Sequence, residues 1–149
     1  MSTKASSWNL PIGQVELAAE NVHVWRVHLD VSFPLVAQYQ ELLSPEEQAS
    51  AQRFYFERDR SRWIVARGLL RILLGRYTHT NPRHLCFQTN AYGKPTLVFP
   101  TRYPPLEFNL SHSADLALYA LSWQRPLGVD GEYMRADIPY DEWAQLLPL

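Results

Sequence analysis

Apolar and polar residues follow strand and helix periods in the first part of the chain. Residues 21–30, NVHVWRVHLD, place apolar side chains at nearly every second position, which predicts a strand. A short helix is predicted from Leu35 to Leu43. The stretch SPEEQ indicates the start of another helix, with Ser44 as N-cap, Pro45 at the first helical position and Glu47 completing a capping box.

A long helix is predicted from Arg58 to Tyr77. Its apolar side chains cover more than half of the helix circumference, so we expect a central helix that is buried against more than one layer. The remaining narrow face carries Arg60, Arg67 and Arg71, which fall within about 40° of one another. These arginines belong either to a solvated face or to a cleft that binds an anion, because arginine suits planar contacts with phosphate and carboxylate.

The second half of the chain predicts strands that are joined by turns. We expect strands near Leu85–Gln88, at 96–99, at Leu106–Leu110 and at Leu116–Trp123. A strand-like segment follows at 125–130, and the first turns of a helix at 139–147. Helices and strands in this order, with antiparallel hairpins, favour the α+β class.

Residues 108–121 read FNLSHSADLALYAL, a pattern typical of a buried strand that is interrupted at Ser111, His112 and Ser113. A buried polar group without a partner costs on the order of 1–3 kcal/mol, so we expect each of these side chains to have a partner in the fold or on a ligand. Neighbouring residues of a strand face opposite ways, which argues against a nucleophilic Ser111–His112 pair. One cysteine and scattered histidines also lack the spacing of a zinc site. The interruption is either a contact for an anionic ligand or a purely structural cluster.

Two carboxylates and one lysine complete the candidate chemistry. Asp130 and Glu132 in GVDGE would leave the same face of an extended strand, as the ligands of a Mg²⁺ site do. Lys94 lies in the turn YGKP, where a rigid backbone suits a point charge for phosphate. Each motif alone is more typical of exposed residues. Together with the arginines and the Ser-His segment, they suit a nucleotide-like ligand that carries a pyrophosphate on magnesium.

The bulk properties limit the class of protein. With 149 residues, of which 46% are hydrophobic and 19% charged, the chain suits one globular domain. A formal charge of −1 gives no reason to expect nucleic acid or an anionic membrane as a partner. Cys86 is the single cysteine, and the sequence has neither a signal peptide nor an apolar run of roughly 18–20 residues. We therefore expect a cytoplasmic protein.

The motifs, taken in order, resemble one known family. The stretches LLSPEEQASAQRFYFERDRSRWIVARGLLRILLGRY, YGKP, FNLSHS and GVDGE occur as they do in the 4′-phosphopantetheinyl transferases of the large, surfactin-synthetase type. The resemblance covers about residues 22–145, and EYMRADIPYDE is similar to the cyanobacterial branch of the family. Each motif is common, whereas the ordered set is specific.

The resemblance implies a fold of two similar α+β lobes that are related by a pseudo-twofold axis, with coenzyme A between them. On this basis residues 1–20 are an irregular lead-in, 21–124 form the N-terminal lobe, and 125–149 are the start of an incomplete second lobe. The strand that ends at Asp30 and the strand that ends at Asp130 would be corresponding parts of the two lobes.

The resemblance also implies that Asp130 and Glu132 are catalytic residues, which hold Mg²⁺ on the pyrophosphate of coenzyme A. The sequence departs from the family pattern at two points. Gly131 stands between the acids where the family has an apolar residue, and glycine would loosen the strand that carries them. The family's W-x-x-K-E-A-x-x-K-like helix, which supplies a further acid and a lysine, has no match in this sequence.

Four further residues are implied as contacts for coenzyme A. Lys94, Ser111 and His112 would contact the nucleotide and its phosphates, as the lysine of G-K-P and the N-x-S-H-S motif do in the family. Arg67, in the ARGLLR segment, would contact the same end of the ligand.

The activity that the resemblance implies is Mg²⁺-dependent transfer of 4′-phosphopantetheine from coenzyme A to a serine of an acyl or peptidyl carrier protein, which releases 3′,5′-ADP. The alternative is a catalytically inactive, C-terminally truncated remnant that still binds coenzyme A or the carrier protein. In a one-lobe chain the face meant for the second lobe would be exposed, and it offers a surface for homodimerisation.

Overall fold

The computed structural model describes residues 16–98 and 105–123. Their elements are β1 (His23–His28), α1 (Phe33–Glu41), α2 (Pro45–Ala51), α3 (Glu57–Thr78), a 3-10 turn (Pro82–His84), β2 (Phe87–Thr89), β3 (Pro95–Leu97), β4 (Leu106–Ser113) and β5 (Leu116–Trp123). This mixture of helices and antiparallel strands agrees with the predicted class. Asp130, Glu132, most of the predicted lead-in and the predicted second lobe lie outside the described residues. In the described ranges, no helix combines the length and the apolar character that crossing a bilayer requires.

A three-stranded antiparallel sheet with the order β1-β5-β4 supports the core. Phe108 of β4 lies opposite Leu121 of β5, and both side chains are buried. Tyr119, on the same face of β5, is 1% exposed and donates a hydrogen bond from its hydroxyl to the Ala66 carbonyl oxygen of α3 at 2.6 Å. The sheet therefore packs its apolar face against the long helix.

β4 does not break at Leu110, so the predicted interruption is wrong. The strand continues to Ser113, and all three residues of the Ser-His-Ser segment pair with β5. The chain turns at Ala114 and Asp115 instead, with Ala114 at a φ of 52°. Polar side chains fit in this stretch because β4 is an edge strand of the described sheet, where side chains such as His112 reach solvent.

The central helix α3 begins and ends within one residue of its predicted bounds. Most of its length is buried, and its buried apolar residues include Ile64, Val65, Leu70, Leu73 and Leu74. Helix α1 packs against it at Gly68, where an added Cβ would lie 2.7 Å from the Cβ of Tyr39. Only glycine allows the two helices to approach this closely.

The predicted capping box at the start of α2 is confirmed. The Ser44 hydroxyl accepts a hydrogen bond from the Glu47 backbone N–H at 3.2 Å, and the Ser44 backbone N–H donates to Glu47 Oε1 at 2.9 Å. Pro45 is in the first turn of the helix, as predicted. The side chain of Glu47 is therefore bound to the N-terminus of its own helix.

Asp30, which follows β1, forms a bidentate ion pair with Arg62 of α3. The two N–O distances are 2.7 and 2.8 Å. The hydrogen bond from Arg62 holds the pKa of Asp30 below its usual value. This carboxylate therefore joins the end of the strand to the long helix.

Tyr77, near the end of α3, links the helix to β1. Its hydroxyl accepts a hydrogen bond from Trp25 Nε1 at 2.9 Å and lies 2.7 Å from His23 Nδ1. Since the indole N–H occupies one lone pair of the oxygen, the hydroxyl proton can be donated to a neutral imidazole. Burial lowers the pKa of His23, which favours this neutral form in the folded protein.

Replacing Gly68 by alanine should destabilise the protein by about 1–3 kcal/mol, because the new methyl group would overlap Tyr39. This loss should exceed the gain in helix propensity, which is roughly 1 kcal/mol. Urea unfolding followed by circular dichroism measures the change. The control is Ser61→Ala, at a partly exposed position of the same helix, which should change stability by less than about 0.5 kcal/mol. An unchanged stability of Gly68→Ala would contradict the close contact between the helices.

Acidification should destabilise the protein through His23. Its pKa in the folded protein is lowered from the ordinary value of 6.5. As the pH falls, His23 is therefore protonated in the unfolded chain before it is protonated in the folded protein. The contribution of His23 is thus fully present above the unfolded pKa and is lost as the pH falls below it. Urea midpoints measured between about pH 5 and pH 8 should show this loss, and His23→Gln should reduce it. The exposed strand residue Val24 provides the control, since Val24→Thr changes no titratable group and should keep the pH dependence of the parent.

Candidate functional site

The β2–β3 hairpin places Lys94 on a short turn with several internal hydrogen bonds. The Asn90 side-chain oxygen accepts hydrogen bonds from the backbone N–H groups of Tyr92 and Lys94, each at 2.9 Å. Gly93 has a φ of 78°, a left-handed conformation that glycine adopts without strain. The predicted turn therefore exists and fixes the backbone of Lys94.

A hollow of about 240 Å³ brings Lys94 together with two other predicted ligand contacts. Arg67 of α3 and His112 of β4 line it beside Lys94. The rest of the wall is mostly apolar and includes Leu70, Pro95, Phe108 and Leu110. No acidic side chain among the described residues lines this hollow, so its charged groups favour an anion.

Ser111 lies next to His112 on β4, but the two side chains leave opposite faces of the sheet. Among the described residues that line the hollow, His112 is present and Ser111 is not. The regular strand therefore places these two predicted ligand contacts on opposite faces of the sheet.

The arginine stripe of α3 serves mainly to hold the fold together. Arg71 is 2% exposed and donates hydrogen bonds to Glu47 at 2.7 Å and to the carbonyl oxygens of Pro82 and Leu85 at 2.8 and 3.1 Å. Arg60 donates to a backbone carbonyl oxygen just before α3 at 2.9 Å. The nitrogen atoms of Arg71 thus all have partners within the fold, and Arg67 alone of the three lines the small hollow.

Arg67 is held by two contacts. Its Nε donates to Oε2 of Glu47 in an ion pair, and its Cζ lies 4.7 Å from the centroid of the Phe87 ring. The ring of Phe87 packs edge-on against Phe108 at a centroid distance of 6.1 Å, which fixes its plane. The two Nη groups of Arg67 have no hydrogen-bond acceptor within the described ranges, so their four N–H donors can serve a ligand.

Glu47 is the counterion of both arginines, a role that the sequence analysis missed. It is only 7% exposed. Burial by itself would raise the pKa of Glu47, but hydrogen bonds from the Ser44 backbone N–H, Arg67 and Arg71 outweigh it and leave the pKa lowered. The carboxylate is therefore ionised, and this cluster of two arginines and one glutamate carries one net positive charge. The capping box accounts for a glutamate at position 47, so nothing further in the sequence indicated that it also pairs with the two arginines.

A second hollow, of about 570 Å³, shares Arg67 and Pro95 with the first. Its wall also includes Glu47, Arg71 and Trp63. Because Glu46 and Glu47 both line this hollow, two carboxylates balance the two arginines on this side. The smaller hollow is the better site for a phosphate group.

The predicted metal site falls outside the described part of the chain, since Asp130 and Glu132 are not included in it. Among the described residues, no group of three or more histidine, cysteine, aspartate or glutamate side chains could hold a metal ion. Two carboxylates separated by one residue are the oxygen ligands that Mg²⁺ prefers, and the assignment of these acids stays a prediction.

Comparison with known proteins gives a consistent set of matches. A family model described as 4′-phosphopantetheinyl transferase, N-terminal, matches residues 33–124. The chain is 40% identical over 119 residues to the 4′-phosphopantetheinyl transferase HetI of Nostoc sp., and the match covers 80% of this chain and 50% of HetI. It is 30% identical over 95 residues to the 4′-phosphopantetheinyl transferase Sfp of Bacillus subtilis, covering 64% of this chain and 41% of Sfp. The chain thus spans half or less of the length of these relatives.

Replacing Arg71 by methionine should destabilise the protein by about 3–5 kcal/mol, because it removes one partner of a buried ion pair and leaves two carbonyl oxygens without a donor. Urea unfolding measures the loss. Arg76→Met makes the same chemical change at an exposed position of α3, and should cost less than about 0.5 kcal/mol. Equal effects of the two variants would show that the buried cluster contributes little to stability.

Proposed function

The chain belongs to the 4′-phosphopantetheinyl transferase family, and we propose that it takes part in the Mg²⁺-dependent transfer of 4′-phosphopantetheine from coenzyme A to a serine of an acyl or peptidyl carrier protein. In this reaction the serine oxygen forms a bond to the phosphorus that carries pantetheine. The bond from that phosphorus to the bridging oxygen breaks, this oxygen leaves with its electron pair on 3′,5′-ADP, and the serine proton is released to solvent. The main support from the structure is the hollow in which Arg67, Lys94 and His112 meet.

We assign this hollow to the phosphates at the nucleotide end of coenzyme A. Arg67 would donate hydrogen bonds from its Nη groups, which is the bidentate geometry that suits a phosphate group. Lys94 would add a compact positive charge, and His112 at the rim would donate a hydrogen bond. Ser111 would have to contact the ligand from the other face of β4, or through its backbone.

Transfer itself would depend on Asp130 and Glu132. Mg²⁺ held by these acids would supply charge neutralisation at the pyrophosphate. The cationic residues of the hollow would orient the ligand so that its phosphorus faces the carrier serine, and this positioning supplies much of the catalysis in phosphoryl-type transfer.

Binding of coenzyme A without transfer is the second candidate function. One observation favours it: the described residues that line the hollow, among them Arg67, Lys94 and His112, come from α3, β3, β4 and the hairpin turn and already bring two cationic side chains together. Under this proposal the chain would still bind the ligand and could still meet a carrier protein. Homodimerisation through the exposed lobe face also stays a proposal, which sedimentation velocity would test.

An assay with apo carrier protein, coenzyme A and Mg²⁺ should yield carrier with one added phosphopantetheine, read out by intact mass. Asp130→Ala should abolish this product because it removes a proposed metal ligand. Asp59→Ala changes an exposed acid at the start of α3 and should retain the product.

The same protein samples separate the two candidate functions. Calorimetry should detect coenzyme A binding by the parent chain, and Lys94→Gln should weaken it roughly tenfold through the loss of one charged contact. Binding without any carrier product would leave only the second candidate. If the parent neither binds coenzyme A nor modifies the carrier, both are wrong.

A further inference from the structure

Glu47 connects the capped end of α2 to the arginine that faces the small hollow. One carboxylate oxygen, Oε1, accepts hydrogen bonds from the Ser44 backbone N–H at 2.9 Å and from Arg71 Nε at 2.7 Å. The other oxygen, Oε2, accepts from Arg67 Nε. Glu47 itself is not among the described residues that line the small hollow. Direct contact between Glu47 and a ligand there is therefore not expected, and a geometric effect of Glu47 would act through another side chain.

We propose that Glu47 is a positioning residue, which holds the guanidinium of Arg67 so that its Nη donors face the hollow shared with Lys94 and His112. This inference rests on the proposed function, because it assumes that the hollow receives a phosphate of coenzyme A or of 3′,5′-ADP. It adds a residue that touches no part of the ligand.

The position of the Glu47 carboxylate is itself fixed. The capping box holds it from the side of α2, and Arg71 holds it from the side of α3. Arg71 cannot move easily, because its Nη1 donates to the carbonyl oxygens of Pro82 and Leu85. Because Ser44 and Arg71 both donate to Oε1, the carboxylate presents its second oxygen, Oε2, to Arg67 in one orientation.

The orientation of Arg67 then follows from two constraints. The hydrogen bond from Nε directs one edge of the guanidinium toward Glu47, which leaves the Nη edge for a ligand. The ring of Phe87 lies against the guanidinium plane at 4.7 Å and limits its rotation. The Arg71 Cζ lies 5.2 Å from the same ring, so two positive charges are close together and need the carboxylate between them.

The primary test is Glu47→Asp, which keeps the negative charge but shortens its reach by one methylene group. Binding of 3′,5′-ADP, measured by calorimetry, should weaken roughly tenfold, as expected for the loss of one charge-assisted contact. Measuring Arg67→Gln and the double variant completes a double-mutant cycle. Once Arg67 has been replaced, Glu47→Asp should change the affinity by less than about twofold.

Two controls separate positioning from folding. Glu46→Asp makes the same change at the exposed neighbouring residue and should bind 3′,5′-ADP like the parent. Ser44→Ala removes the capping hydroxyl and should lower the melting temperature, while the hydrogen bonds that Glu47 accepts from the arginines remain and the affinity is unchanged. An equal loss of affinity in both Arg67 backgrounds, or in Ser44→Ala, would overturn the positioning role.

A measurement on the unmodified, ligand-free protein needs no variant to fold. The Nε proton of Arg67 should exchange with solvent more slowly than that of the exposed Arg58, as seen by nuclear magnetic resonance of the arginine side chains. Equal exchange rates would overturn the positioning role and leave the proposed function intact. If the exchange is slow but the parent does not bind 3′,5′-ADP, the proposed function fails, and the positioning role fails with it.

Discussion

The ion cluster of Glu47, Arg67 and Arg71 is the interaction on which the rest of the described structure depends. Burying ionised groups costs several kcal/mol for each ion unless every charge is paired and hydrogen-bonded. Here the carboxylate meets this condition with donors from α2 and α3, and Arg71 extends the network to the backbone before β2. The cluster joins α2, α3 and the segment before β2, and one of its members, Arg67, lines the small hollow. Fold stability and the geometry of the site are therefore coupled.

Much of the fold could be predicted because its signals are local. The bounds of α3 follow from an apolar pattern over many turns, and the start of α2 follows from three residues that satisfy one another within a single turn. The break in β4 was predicted wrongly for the same reason. A local pattern cannot distinguish polar residues that end a strand from polar residues on an edge strand, whose side chains reach solvent.

Only part of the candidate site could be predicted from the sequence. Resemblance to a family identified Arg67, Lys94 and His112, and the fold brings these three residues to one hollow. The helical period also placed Arg71 beside Arg67. Yet Arg71, four residues further along α3, is buried within the ion cluster, whereas Arg67 lines the small hollow. This distinction depends on where Glu47 and the carbonyl oxygens of the following loop lie, which is tertiary information. Helical periodicity does not contain it.

The hydroxyl of Tyr119 binds the peptide carbonyl immediately before Arg67. Sheet and helix thus share a fixed point beside the arginine that reaches the cavity. Sliding of α3 along the sheet, or rotation about its axis, would first have to break this buried bond and leave the phenol without an acceptor. The central strand therefore fixes both the position of Arg67 along the sheet and the direction in which its side chain leaves α3.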